Sequence, residues 1–160
     1  MINVLSLSGL REEINYQKSI GKITGLCHGC FDILHTGHIR HFKYAKDCCD
    51  VLYVSITADI FVNKGDNRPV FRQEERAEIL SSISYVDGVY VNNFASSENL
   101  LIEVQPNIYF KGQEYLNNPQ GVNKNFLKEK EVAISNGVEV KFTFEKVDSS
   151  TNIFDRIRSA

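Results

Sequence analysis

The sequence predicts an α/β domain, doubly wound around a mainly five-stranded parallel sheet with helices on both faces. Short β-branched and aromatic runs alternate with longer amphipathic segments from Lys22 onward. One helix-like segment separates successive strand-like runs, the pattern that pairs strands in parallel. The strongest strand run, VLYVSIT, carries no charge, as expected of a strand covered on both faces.

The elements follow in order. Residues 22–28 (KITGLCH) form a short apolar run closed by Gly29 and read as the first strand. Residues 38–47 set Phe42 and Ala45 among Arg40, Lys43 and Lys46, the pattern of a half-buried helix. Val51–Thr57 is a strand by composition. Residues 63–72 (NKGDNRPVFR) are a polar loop, and residues 74–83 a helix with Ala77, Leu80 and Ile83 turned to the core. Residues 86–91 (VDGVYV) form a strand, and residues 97–104 a helix with Ser96 or Ser97 as its cap. Residues 107–111 (NIYFK) form the fourth strand. The polar stretch 113–125, with Pro119 and Gly121, is a loop. Phe126–Ser135 is helical and stops near Gly137. Residues 139–145 (EVKFTFE) alternate as a fifth strand, and residues 150–157 close the chain as a helix capped by Ser149 or Ser150.

At 160 residues, with 42% hydrophobic and 24% charged residues, the chain reads as one domain, residues 1–160. That length buries a core without disulfide staples. The net charge of −2 argues against a nucleic-acid partner. No apolar run approaches ~18 residues, so no membrane association is expected. The first eleven residues show no basic patch followed by an apolar stretch, so a cytoplasmic protein is expected. The four cysteines flank apolar runs and fit reduced thiols. Cys27 and Cys30 form a C-x-x-C without a second such pair. Cys27 reads as a buried strand residue, which disfavours a redox or zinc role.

Sheets of this kind bind ligands at the carboxyl ends of their strands. After the first strand the chain reads Gly29-Cys30-Phe31-Asp32-Ile33-Leu34-His35-Thr36-Gly37-His38. Gly37 lets a polyphosphate approach the backbone, and a helix opening near His38 points N–H groups and its positive dipole end at an anion. The imidazoles of His35 and His38 donate to phosphate oxygens as charge builds on them. Neither G-x-x-x-x-G-K-[ST] nor G-x-G-x-x-G occurs here, so this is not a P-loop or a dinucleotide fingerprint.

The H-x-G-H signature after G-x-F-D resembles the nucleotidyltransferase superfamily, which contains the cytidylyltransferases and has a Rossmann-like fold. Within it the chain is most similar to the adenylyltransferase domain of ADP-heptose synthase and related sugar-phosphate nucleotidyltransferases. Four ordered stretches carry the resemblance: LCHGCFDILHTGHIRHFKYAK, KGDNRPVFRQEERAEILSSISYVDGVYV, Lys111-Gly112-Gln113-Glu114-Tyr115 and Ser149-Ser150-Thr151-Asn152-Ile153. Cys30, and the absence of an arginine before Ser149, lean toward the heptose-type branch and toward ATP.

The resemblance implies an enzyme in which an acceptor phosphate attacks the α-phosphorus of a nucleoside triphosphate and pyrophosphate leaves. It implies His35, His38 and Lys46 as catalytic. It implies Gly29, Cys30, Phe31, Asp32, Gly37, Lys64, Arg68, Arg76, Lys111, Gly112, Ser149, Ser150 and Thr151 as nucleotide-binding. Lys64 and Arg68 belong to a loop that closes over the triphosphate, Arg76 faces the leaving pyrophosphate, and Lys111 and Gly112 meet the base or the acceptor phosphate. Asp32 orients a histidine or the backbone. A Mg2+ ion is expected on the triphosphate, held by phosphates and water and not by a protein site. The acceptor is a sugar phosphate such as a heptose 1-phosphate. The alternatives are a CTP-dependent cytidylyltransferase acting on a polyol or amino-alcohol phosphate, and a nucleotide-binding regulatory module without turnover. A homodimer is expected, with a sugar kinase as partner or fused domain. The last motif lies close to Ala160, so the chain reads as a complete small enzyme or as the N-terminal part of a longer kinase-fused protein.

Overall fold

The computed structural model describes residues 3–117, 125–144 and 150–159. The strands are β1 (Val4–Leu5), β2 (Thr24–Gly29), β3 (Val51–Thr57), β4 (Gly88–Asn92), β5 (Ile108–Gly112) and β6 (Glu139–Thr143). The helices are α1 (Leu7–Ser19), α2 (Thr36–Asp47), α3 (Gln73–Ser81), α4 (Glu98–Val104), α5 (Glu114–Asn117), α6 (Phe126–Ser135) and α7 (Ser150–Arg158), with a 3-10 turn at Asp59–Phe61. All strand pairs are parallel, in the order β1-β4-β3-β2-β5-β6. The chain steps outward from β2 to β3 to β4, then returns to the other side of β2 with β5. The switch point of the sheet therefore lies between β2 and β5.

The period-2 alternation of the strands decides what each face buries. Cys27, Val54, Val89 and Phe110 point to one face, where Phe42 and Ala45 of α2 and Ala77 and Leu80 of α3 cover them. Leu26, Tyr53, Tyr90 and Tyr109 point to the other, under Leu10 and Ile14 of α1, Leu100, Leu101 and Val104 of α4 and Ala133 of α6. The doubly wound reading holds, with six strands where the sequence predicts five. The sixth is β1, only two residues long, held against β4 through Val4–Val89 and Leu5–Tyr90. The helix α1 is likewise absent from the sequence prediction. Ser6 caps it by accepting from the Gly9 N–H at 3.1 Å, and Leu10 and Ile14, one turn apart, are fully buried. The expected loop over 113–125 contains the short helix α5. No helix among the described residues is long and apolar enough to cross a membrane.

Candidate functional site

The segment after β2 turns sharply at Phe31, whose φ of +48° is unusual for a bulky side chain. The turn puts the Phe31 ring into the core against Phe42 and edge-on to His38, with ring centroids 5.1 and 5.3 Å apart. A Cβ on Gly29 would meet that ring at 3.0 Å, which accounts for the glycine. The Phe31 ring is a prop beneath the turn, which leaves the backbone of Phe31 as the part that can meet a nucleotide.

His35 caps α2. Its Nδ1 accepts from the Gly37 N–H at 3.1 Å, so in the neutral ring the proton sits on Nε2, which becomes the donor. His38 stacks on His35, with centroids 3.9 Å apart and planes inclined by 29°. The His38 Nδ1 is buried and has no hydrogen-bond partner among the described residues. Burial, followed by the neighbouring His35, His41 and Lys64, pushes the His38 pKa down to about 3. A buried, unpartnered imidazole nitrogen at a helix N-terminus, with a lysine beside it, suits an arriving phosphate.

Two expected ligand contacts are internal braces. Asp32 is 2% exposed and accepts from the N–H groups of Val70 and Phe71 and from Arg68 Nε at 2.7 Å. Burial raises its pKa, but these donors outweigh it and hold the carboxyl below its usual range. Asp32 thus orients the loop backbone, one of the two roles read for it, and holds Arg68 beside the phosphate turn. Arg76, expected to face pyrophosphate, is 1% exposed. It donates to the carbonyls of Phe71, Cys30 and Thr57 and pairs with Asp59 at 2.6 Å. With its donors directed at the loops that follow β2 and β3, it is a knot that fixes the edge and not a group turned toward the leaving anion. Lys64, in contrast, is exposed and makes no hydrogen bond or ion pair among the described residues, while its charge acts on both His38 and Cys30.

Lys46 is misplaced for catalysis. It lies at the far end of α2, donating to the Asp50 carbonyl and pairing with Asp87, both at 2.6 Å. Asp50 and Asp87 precede β3 and β4, so Lys46 braces the amino edge of the sheet. The helix itself explains why: eleven residues at ~1.5 Å each carry Lys46 about 16 Å from His35.

Lys111 and Gly112 end β5, across the switch point from the phosphate turn. Lys111 is 3% exposed and pairs with Glu129 of α6 at 3.4 Å, beneath the Tyr115 ring at 4.5 Å. Tyr109 donates to the same carboxylate at 3.2 Å and meets Ser97 Oγ at 2.8 Å. Burial works against both charges of the pair, but Tyr109, Tyr115 and Glu129 favour the ammonium of Lys111, and Lys111 and His28 favour the carboxylate of Glu129. The Lys111 pKa stands above its ordinary value and that of Glu129 below. Lys111 is expected to touch base or phosphate. Its ammonium is instead packed under aromatic rings and acts through its field. Ser149 lies outside the described residues, and Ser150 and Thr151 open α7 without described side chains.

Two histidines absent from the sequence prediction complete the edge. His28 Nδ1 meets Ser55 Oγ at 2.5 Å, and His41 Nδ1 meets Thr143 Oγ1 at 2.8 Å. Burial, with help from the Lys111 charge, lowers both pKa values to about 4. His28 sits directly before Gly29, the one sequence signal that pointed to it. All four cysteines are thiols, so no Cys27–Cys30 disulfide forms.

The family model described as cytidylyltransferase-like matches residues 26–156. The chain belongs to the cytidylyltransferase-like family. The resemblance read from its four motifs is borne out, and with it membership of the nucleotidyltransferase superfamily. Among curated relatives of this cytidylyltransferase-like chain, the bifunctional protein HldE of Geobacter metallireducens is 34% identical over 160 residues, 98% of this chain and 31% of that protein. The same protein of Helicobacter pylori is 34% identical over 152 residues, 93% of this chain and 32% of that protein. The chain thus spans about a third of the length of these relatives. In three dimensions it is similar to the lipopolysaccharide core biosynthesis protein of Thermoplasma volcanium. The TM-score is 0.63 at 29% identity, over 80% of this chain and 100% of that one. Pantothenate synthetase of Thermus thermophilus shares the fold alone, with a TM-score of 0.65 at 16% identity, over 95% and 67% of the two chains.

Proposed function

We propose that this chain transfers a nucleoside monophosphate from a nucleoside triphosphate, ATP in preference to CTP, to a sugar phosphate such as a heptose 1-phosphate, releasing pyrophosphate. The observation that carries the reading is the stacked His35–His38 pair at the N-terminus of α2, with the buried His38 Nδ1 unpartnered. The attacking phosphate is already an anion, so the protein needs to position it and to stabilise charge, not to supply a strong base. His35 donates through Nε2 and His38 through its own ring to the α-phosphate and bridging oxygens. Lys64 and Arg68 bring positive charge over the outer phosphates from the loop that Asp32 holds. The N–H groups of α2, and those opening α7 near Ser149, Ser150 and Thr151, add neutral donors.

The described residues hold no cluster of three His, Cys, Asp or Glu side chains that suits a metal ion. The carboxylates of Asp32 and Asp59 at this edge are engaged by Arg68 and Arg76. Mg2+ is taken to enter with the triphosphate as one substrate, ligated by phosphates and water.

Heptose as the acceptor and ATP as the donor are supported by the HldE relatives and by the Cys30 variant of the motif. A sugar kinase, as fused domain or partner, is the source of the acceptor that the motif resemblance implies, and relatives that are bifunctional and of which this chain spans about a third fit a second domain. The same reading takes residues 1–160 as one nucleotidyltransferase domain, a homodimer as the assembly and the cytoplasm as the compartment. The test is pyrophosphate release from ATP or CTP with a panel of heptose 1-phosphate, hexose 1-phosphates, glycerol 3-phosphate and phosphocholine. ATP with heptose 1-phosphate is expected to give the highest kcat/KM. A preference for CTP with glycerol 3-phosphate or phosphocholine would replace donor and acceptor. Nucleotide binding without pyrophosphate release from any pair would leave a regulatory module.

A further inference from the structure

The inner face of the sheet under α4 and α6 changes character one pleat below the carboxyl edge. In register across β5, β2 and β3 lie Tyr109, Leu26 and Tyr53, a bulky and largely apolar row. Two residues further along the same face lie Lys111, His28 and Ser55. His28 pairs with Ser55, and Lys111 follows the Cys27–Phe110 pair on the other side. A cation, an imidazole and a hydroxyl side by side on a covered sheet face carry a desolvation penalty that apolar side chains would avoid. Lys111 is met by Glu129, and Ser55, fully buried, by His28 Nδ1. The imidazole is then left with Nε2, which makes no hydrogen bond among the described residues. His28 is also the one member of the row that keeps partial solvent contact.

This row straddles the β2–β5 switch point. It lies on the face opposite α2, whose N-terminus carries His35 and His38, and His28 directly precedes Gly29 of the phosphate turn. A molecule with a phosphate on that turn and its body across the switch point passes over His28. We infer that His28 reads a hydroxyl group of the phosphorylated acceptor through Nε2, with Ser55 fixing the ring, and so selects a sugar or polyol over an apolar or cationic acceptor. This rests on the nucleotidyl-transfer reading above. Burial and the Lys111 charge hold the ring neutral at pH 7. A neutral imidazole pairs well with a hydroxyl. Its place on the sheet face opposite α2 assigns His28 to the uncharged part of the acceptor, and His35 and His38, at the N-terminus of α2, to the phosphates.

The experiment uses His28→Asn, His28→Leu and Ser55→Ala in the full chain, checked for folding by thermal melting at pH 7.5. Steady-state kinetics give separate KM values for ATP and heptose 1-phosphate. Calorimetry with each compound alone gives binding without turnover. Loss of one hydrogen bond predicts about a tenfold weaker heptose 1-phosphate KM and binding for His28→Leu, on the scale of a single net bond. Ser55→Ala should shift the same way by less, and His28→Asn should recover part of the loss. ATP binding should stay within twofold throughout. Unchanged acceptor constants in folded variants would make His28 a packing residue and overturn the inference while leaving the reaction standing. A loss confined to ATP would move the ring to the nucleotide half and overturn it equally. A wild-type chain that binds no phosphorylated sugar or polyol would overturn both this assignment and the acceptor reading, and the wild-type control exposes that case by itself.

Discussion

The two edges of this sheet use the same residue types to opposite ends. At the amino edge Lys46 is bound by Asp50 and Asp87, and Asp87 also accepts from the Leu52 N–H at 2.7 Å. Each of these charges has a partner within the fold, and the edge is a brace. At the carboxyl edge Asp32 and Arg76 are bound just as completely, but what they hold is a loop whose Lys64 is unpaired among the described residues and a turn that leaves the His38 Nδ1 unpartnered. Composition alone therefore does not mark a site. A site is where internally satisfied charges hold unsatisfied ones in place.

Breaking the brace on the working side should have the largest effect on the fold. Arg76→Ala takes the guanidinium from three carbonyls and from Asp59, which keeps the Gln73 N–H, and should cost about 3–5 kcal/mol in urea unfolding, on the scale of a buried charge pair losing one member. A smaller effect follows from removing the groups left unsatisfied. His35→Ala and His38→Ala should each lower turnover by roughly 10²–10³-fold, about 2.7–4 kcal/mol, the scale of one transition-state donor. His35→Ala also removes the side-chain cap of α2 and should cost about 0.5–2 kcal/mol of stability, so rates are compared below its melting transition. Rates like wild type in either variant would remove that histidine from the site.

The buried imidazoles also set a pH dependence. His28, His38 and His41 have folded pKa values of about 4, 3 and 4, below the 6.5 of an unfolded histidine. Their contribution is therefore complete above pH 6.5 and is lost as pH falls through the folded values, because the unfolded chain takes up protons first. Each histidine should add about 1.4 kcal/mol per pH unit to the fall in stability between pH 6 and 4.5. His41→Gln should flatten the slope by that amount, and an unchanged slope would show that His41 titrates normally. The smallest effect is expected at the amino edge. Lys46→Met should cost about 0.5–1 kcal/mol, as a partly exposed ion pair does, and leave kcat/KM within twofold. A tenfold drop in kcat/KM with stability intact would return Lys46 to the catalytic set.

Fold and site are legible in the sequence where chemistry and periodicity coincide. The run Val51–Thr57 is both strand-like and uncharged, and the G-x-F-D and H-x-G-H stretch marks the phosphate turn directly. Legibility fails where tertiary context decides. Val4–Leu5 is too short for any period, and pairs only because β4 is there to receive it. Arg76 sits between Glu75 and Ala77 in a helix pattern, where an arginine reads as solvated. Only the folded loops show that its donors are taken. His28 reads as the last residue of a strand, because a single imidazole in an apolar run carries no signal until Ser55 and Lys111 are placed beside it. Lys46 enters the catalytic set through resemblance alone, although the rise of the helix already separates it from His35.

In the proposed reaction the carboxyl edge transfers the α-phosphoryl group with its nucleoside, and His38 acts in that step. ATP labelled in turn at its α- and γ-phosphates, incubated with heptose 1-phosphate and the wild-type or His38→Ala chain, tests it directly. The α label should move into the acceptor product and the γ label into pyrophosphate, and both should fall by roughly 10²–10³-fold in the variant. Transfer of the γ label to the acceptor, or α-label transfer equally fast in His38→Ala, would contradict the proposed reaction.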